Sequence, residues 1–192
     1  MKVALKSRPL LWLVLALPGV WIAWRWLVTP DLYGFGHAIG DTGDWAAWLL
    51  LLTLAATPLR LVFRRQGWTT WLLRRRRDIG VASFVYAAGH TAIYLFDKAS
   101  LATVLAEAAD VAMLTGWLAL AIFIPLAVTS NDKAVRALKR SWKRLHRLVY
   151  PAAILTVVHW VLAAFDPTTA YVFLAILVVL ELIKIVLQRV RA

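Results

Sequence analysis

The sequence predicts an all-α membrane protein, a bundle of six transmembrane helices with both termini cytoplasmic. Three observations carry this. Of 192 residues, 62% are hydrophobic and 17% charged, with a mean hydropathy of +0.72; a soluble domain is roughly 45–50% apolar and about 25% charged. The apolar residues gather into six long runs. And all but Arg25 and Lys98 of the 22 basic residues fall at ends or gaps that alternate along the chain so as to share one side of a membrane.

The runs are Leu10–Val28, Trp45–Phe63, Ile79–Phe96, Val111–Val128, Leu145–Phe165 and Ala170–Leu187. Each holds about 18 to 21 residues, which at about 1.5 Å per residue crosses a hydrocarbon core of about 30 Å. Lys2, Lys6 and Arg8 precede the first run as they would a signal peptide. That run is too long for a signal core and no small-x-small cleavage pattern follows it, so it is expected to stay as an anchor. The Arg60–Arg77 and Lys133–Arg147 gaps are strongly basic, and Lys184, Arg189 and Arg191 close the chain. The other side carries Asp31, Asp41, Asp44, Asp97, Glu107, Asp110 and Asp166. Positive charge stays inside, which makes the basic side cytoplasmic and the expected location a bacterial inner membrane. The whole of residues 1–192 reads as a single domain, with no gap long enough for a second.

A net charge of +12 in a soluble chain points to nucleic acid. Here the charge is topological and no nucleic-acid module is present, so the expected partner surface is membrane lipid. There is no cysteine, which excludes disulfides, iron–sulfur clusters and thiolate haem ligation. No Gly-rich phosphate motif and no internal repeat is visible; the latter weighs against a transporter.

Ionisable residues inside membrane helices mark function. His90 and His159 lie about 16.5 and 18 Å from the inner boundary of the third and fifth runs, on two helices that both travel outward. Two imidazoles at equal depth are the arrangement that clamps a haem iron from both faces, and bis-histidine ligation suits electron transfer. The alternative for each is a hydrogen bond to a neighbouring helix. His146 is about 19.5 Å lower on the fifth run, where it either takes part in a second haem or faces lipid headgroups. On an ideal helix its side chain is about 140° out of phase with His159, with Pro151 between them to alter the phase. His37, among the glycines of Tyr33-Gly34-Phe35-Gly36-His37, is expected in the first outer loop as a surface residue.

Arg74–Arg77 are expected to set orientation and touch anionic lipid, or else to neutralise haem propionates or dock an acidic donor. Arg25, near the outer end of the first run, either neutralises the propionates of an outer haem or snorkels to the interface. Glu181 and Lys184, one turn apart, suggest an intramembrane ion pair or a snorkelling lysine or, alternatively, proton delivery to a quinone.

Three segments resemble a known family. They are Thr57-Pro58-Leu59-Arg60; Arg77-Asp78-Ile79-Gly80 with Tyr86-Ala87-Ala88-Gly89-His90 and Tyr94-Leu95-Phe96-Asp97; and Leu126-Ala127-Val128-Thr129-Ser130-Asn131 with Trp142-Lys143-Arg144-Leu145-His146-Arg147-Leu148-Val149-Tyr150 and His159-Trp160. Together they resemble the ferric-reductase-like transmembrane family, and within it the haem-binding membrane subunits of periplasmic methionine sulfoxide reductase systems. The resemblance implies a six-helix b-type cytochrome with His90, His146 and His159 on the family's histidine positions, carrying one haem b or two, with FMN as an associated cofactor. It implies an electron-transfer, non-catalytic subunit of an oxidoreductase complex. The donor would be the quinone pool or a cytoplasmic flavin reductase. The acceptor would be a periplasmic molybdopterin-containing reductase that repairs methionine sulfoxide in oxidised proteins. Larger ferric reductases continue into a flavin and nicotinamide domain, whereas this chain stops at Ala192, which favours the small-subunit form. The alternatives are a stand-alone ferric or quinone reductase, a cytochrome b anchor of another dehydrogenase, and, in a different class, a cofactor-free transporter with histidines in a proton path.

Overall fold

The computed structural model describes residues 7–98 and 100–190; Lys2, Lys6 and Arg191 of the basic side lie outside them. Nine helices and no strand are found among the described residues: α1 (Arg8–Val28), α2 (Phe35–Val62), α3 (Gly67–Lys98), α4 (Leu101–Glu107), α5 (Val111–Val128), α6 (Asp132–Leu138), α7 (Arg140–His146), α8 (Val149–Ala163) and α9 (Thr168–Arg189). Six stretches are long and apolar enough to cross a membrane: α1, α2, α3, α5, residues Arg140–Ala163 and α9. Outward faces carry large apolar side chains such as Leu13, Trp21, Trp24, Ile154 and Val186. In water such a surface would drive aggregation; against lipid it is the low-energy state.

Two helices run past the apolar windows. α2 begins at Phe35, ten residues before Trp45, and therefore takes in His37, which is helical and not in a loop. α3 begins at Gly67, so Arg74–Arg77 lie on a helix and not in a loop. Hydropathy measures transfer into hydrocarbon, whereas a helix persists wherever its backbone hydrogen bonds persist. The fifth span is divided. α7 stops at His146, Arg147 and Leu148 form a turn, and α8 restarts at Val149. Pro151 then sits in the first turn of α8, where its missing N–H costs no helical bond. A phase counted on one ideal helix from His146 to His159 does not apply across that break.

Helix starts are capped where the chain turns sharply. Asp110 accepts a bond from the Ala112 N–H at 2.8 Å at the head of α5, and Asn131 does the same for Ala134 at 2.9 Å at the head of α6. Lys139, at φ 48°, reverses the backbone hand and separates α6 from α7.

The core has two centres. One gathers Leu49, Ala56, Ile79, Ala82 and Tyr86 from α2 and α3. The other gathers Leu50, Leu54, Ala153, Val157, Phe173 and Leu177 from α2, α8 and α9. α2 and α3 are antiparallel, tied by Ser83 Oγ donating to the Ala46 carbonyl at 2.7 Å. α1 packs outside them, with Ile22 its one buried residue, and is held by polar contacts. The Tyr86 hydroxyl accepts from the Gly19 N–H and donates to the Leu15 carbonyl, both at 2.8 Å. These two groups would bond each other in a regular helix, so Tyr86 is inserted into the α1 ladder, one residue after Pro18. At one end Arg8 reaches the buried Asp78. At the other, the Arg25 guanidinium lies 4.3 Å from the centre of the Tyr33 ring, and Tyr33 donates to Asp41 at 2.5 Å.

Candidate functional site

The packing of α2, α3, α5 and α8 leaves a cavity of about 350 Å³ between them, walled mainly by apolar side chains and containing His90 and His159. The sequence expected these two at equal depth. The structure brings them together, with ring centroids 6.1 Å apart and ring planes nearly perpendicular, at 85°.

Both rings are oriented by the backbone. His90 Nδ1 is 2.9 Å from the Ile39 carbonyl oxygen of α2, and His159 Nδ1 is 2.7 Å from the Ala112 carbonyl oxygen of α5. A carbonyl oxygen only accepts, so each Nδ1 carries a proton, which leaves Nε2 as the nitrogen available to a metal. Histidines that ligate metals are held in this way, the other ring nitrogen donating to a carbonyl or carboxylate.

The spacing tests whether an iron fits. With a metal–imidazole bond of about 2.0 Å and a nitrogen about 1.2 Å from its ring centre, two rings on opposite faces of one metal have centroids about 6.4 Å apart. The observed 6.1 Å agrees to a few tenths of an ångström. No group of three or more His, Cys, Asp or Glu placed to hold a bare metal ion is found among the described residues. A pair of imidazoles in an apolar cavity instead suits an iron that brings further ligands of its own. The residues fit haem.

The remaining candidates lie elsewhere. His146 Nε2 is 3.0 Å from Thr129 Oγ1, and its ring stacks on Trp142 at 3.9 Å, whose indole N–H donates to the Thr129 carbonyl. It does not line the cavity. His37 stacks on Tyr33. Arg77 pairs with Asp132 at 2.7 Å and Arg75 lies 3.7 Å from Asp78, while Arg25 is engaged by Tyr33. Lys184 donates to Glu181 and, at 2.8 Å, to the Tyr150 hydroxyl. That pairing matches the intramembrane ion pair, and the second Glu181 oxygen is buried without a hydrogen bond among the described residues.

Sequence inspection passed over Gly43 and Gly116, which face the two histidine rings. Their signal was present, since a lone glycine inside an apolar helix is unfavourable unless packing requires it. It also passed over the contacts that tie α4 to the cavity-lining Tyr94. Tyr94, which lines the cavity, donates to Glu107 of α4 at 2.9 Å, and Lys98 pairs with the same carboxylate at 2.7 Å. The Lys98 bond, and after it the Tyr94 bond, hold the Glu107 carboxyl below its ordinary range. A carboxyl with a depressed folded-state pKa adds stability that is present above its unfolded value, about 4.3, and is lost as pH falls through the folded value. Acidification from pH 5 to pH 3 is therefore expected to lower the protection of the α4 amides, measured as exchange relative to the unstructured rate at the same pH. Glu107→Gln should show the lower protection at both pH values; a Gln variant that kept the pH dependence would remove Glu107 as its cause.

Residues 42–157 match the family described as ferric reductase like transmembrane component. Among curated proteins, the chain is similar to the protein-methionine-sulfoxide reductase heme-binding subunit MsrQ of Rhodospirillum rubrum, at 38% identity over 151 residues, 75% of this chain and 70% of that protein. The subunits of the same name from Xanthomonas campestris pv. campestris strain B100 and Xanthomonas axonopodis pv. citri are 39% and 40% identical over 143 residues, 72% of this chain. The chain spans 64% of the length of these Xanthomonas relatives, just under two thirds. No solved structure matches.

Proposed function

Because the chain belongs to the ferric-reductase-like transmembrane family and is a multi-pass membrane protein, we propose that it is a haem b electron-transfer subunit whose iron is held between His90 and His159. The observation that carries this is the close pair, each ring fixed through Nδ1 by a backbone carbonyl and both residues lining one cavity. Haem held there by His90 and His159 would supply one-electron transfer chemistry. The protein's own part is to orient the two imidazoles, to keep water from the iron with apolar walls, and to hold the carrier inside the hydrocarbon layer.

The proposed direction of transfer is outward. The proposed orientation has both termini on the cytoplasmic face of a bacterial inner membrane; its support is the gathering of basic residues at alternate helix ends. A C-terminal green fluorescent protein fusion is then bright, while the corresponding alkaline phosphatase fusion is inactive; the opposite pattern inverts the topology. The proposed donor is the quinone pool or a cytoplasmic flavin reductase, and the proposed acceptor a periplasmic molybdenum-cofactor methionine sulfoxide reductase. Support for the acceptor is that the relatives are named heme-binding subunits of a protein-methionine-sulfoxide reductase. FMN, which the family resemblance also brings, is assigned no residues.

The test is a reduced-minus-oxidised visible spectrum of protein purified in mild detergent from haem-replete cells, with a pyridine haemochrome count per chain. A sharp low-spin b-type spectrum is expected, with one haem per chain. A count near two would give His146 a haem of its own. Colourless but folded protein would overturn the proposal and favour a cofactor-free transporter. Ferric or quinone reduction without any periplasmic partner would favour the stand-alone reductase.

A further inference from the structure

His90 and His159 meet their partner helices in the same way. In α2 the carbonyl that accepts from His90 belongs to Ile39, and the glycine facing the ring is Gly43, four residues on. In α5 the accepting carbonyl belongs to Ala112, and the glycine facing His159 is Gly116, again four residues on. The match continues along the cavity wall, where Ala46 and Leu50 stand three and seven residues past the first glycine, and Ala119 and Phe123 stand three and seven past the second.

The spacing has a physical reason. A helical carbonyl at position i already accepts from the N–H of i+4, and its second lone pair is directed outward. Cα–Cβ bonds tilt toward the helix N-terminus, so the side chain at i+4 leans over that lone pair. Glycine at i+4 uncovers it. A Cβ at Gly43 would stand 3.1 Å from His90 Nδ1 and 3.3 Å from its Cε1; at Gly116 it would stand 2.8 and 2.9 Å from the same atoms of His159. At Gly116 the methyl would force the ring to shift against its carbonyl bond, and at Gly43 it would make the ring give by a few tenths of an ångström.

We propose that Gly43 and Gly116 are positioning residues that seat the two histidines. Each exposes one carbonyl so that Nδ1–H is committed to the backbone and Nε2 faces the cavity, and the α2/α3 and α5/α8 pairs are two copies of one histidine-seating unit. The proposal rests on the haem reading for its consequence but not for its geometry. The backbone carbonyls cannot be removed by substitution, so the glycines are the handle on this hydrogen bond.

The experiment compares the full chain with Gly116→Ala, Gly43→Ala and Gly89→Ala. Gly89 adjoins His90 in sequence, but a Cβ there meets nothing within 4 Å. Gly116→Ala is expected to weaken haem binding by about 10- to 100-fold, the range for loss of a partner that orients a ligand, and to convert part of the remaining haem from low to high spin in electron paramagnetic resonance. Gly43→Ala, with the milder contact, shows the smaller change in the same direction, and Gly89→Ala matches wild type. In haem-free protein, ¹⁵N spectra of labelled histidine report the Nδ1–H hydrogen bonds directly, and each alanine variant should lose one of them. Wild-type protein with a bis-histidine spectrum and both alanine variants unchanged in affinity, spin state and Nδ1–H signal overturns the proposal. If wild type lacks a bis-histidine spectrum, the haem reading fails instead, and the haem-free spectra still decide whether the glycines seat the rings. Should Gly116→Ala not elute as a single folded species, Gly43→Ala decides.

Discussion

His90→Ala and His159→Ala proteins are each expected to leave the membrane folded and nearly colourless, with haem per chain at least about tenfold below wild type. Even partners that only orient a ligand are worth about 10- to 100-fold in metal affinity, and these substitutions delete the ligand itself. Removing one imidazole frees an axial position, so any haem left behind is high-spin, with broadened visible bands. The two variants should resemble each other closely, because the histidines have equivalent hydrogen bonds and face each other across one cavity. His146→Ala is the internal comparison. Its ring is engaged by Thr129 and Trp142 away from the cavity, so the low-spin haem between His90 and His159 should survive its loss. A His90→Ala protein with full low-spin haem would end the ligand assignment, and would leave that histidine the role of a hydrogen bond between helices.

The second large effect concerns stability and the attachment of α1. Asp78 is buried, its side chain 6% exposed, while Arg8, bonded to it at 2.7 Å, is 64% exposed. The pair is therefore lopsided. Arg8→Ala removes the cation and leaves a buried carboxylate facing Arg75 at 3.7 Å. Asp78→Asn removes the buried charge and leaves an arginine that reaches water or headgroups. Stranding one partner of a fully buried pair costs about 3–5 kcal/mol; with one partner this exposed we expect about 2–3 kcal/mol for Arg8→Ala. For Asp78→Asn we expect about 1 kcal/mol, the ordinary worth of a hydrogen bond. Denaturation in sodium dodecyl sulfate, followed by circular dichroism, measures both. Equal losses, or a larger loss for Asp78→Asn, would show that the buried charge is stabilised by something other than Arg8. Since α1 buries only Ile22, the loss should appear first as proteolytic access to the N-terminal end of α1, where Arg8 sits, while the α1–α2 connection stays held by Arg25 and Tyr33.

Much of this protein follows from local chemistry along the chain. Six apolar runs of sufficient length admit no arrangement except helices in lipid, because an unpaired peptide group in hydrocarbon is too costly. Charge placed the loops on two sides, and the depth of His90 and His159 along their helices made them a pair before any coordinates. Depth is a one-dimensional quantity and can be counted from the helix ends. Rotation about the helix axis is not, and here the tertiary structure decided. That both rings turn inward, that Ile39 and Ala112 offer their carbonyls, and that Gly43 and Gly116 leave those carbonyls uncovered all depend on how α2 meets α3 and α5 meets α8. The same holds for Tyr86, whose hydroxyl finds the opened ladder of α1, and for the break at Arg147 and Leu148 that moves His146 onto a separate short helix. Hydropathy records the cost of moving each residue into lipid, a property of the residue alone. The seating of a ligand is a property of two surfaces in contact, and the chain specifies it only once it has folded.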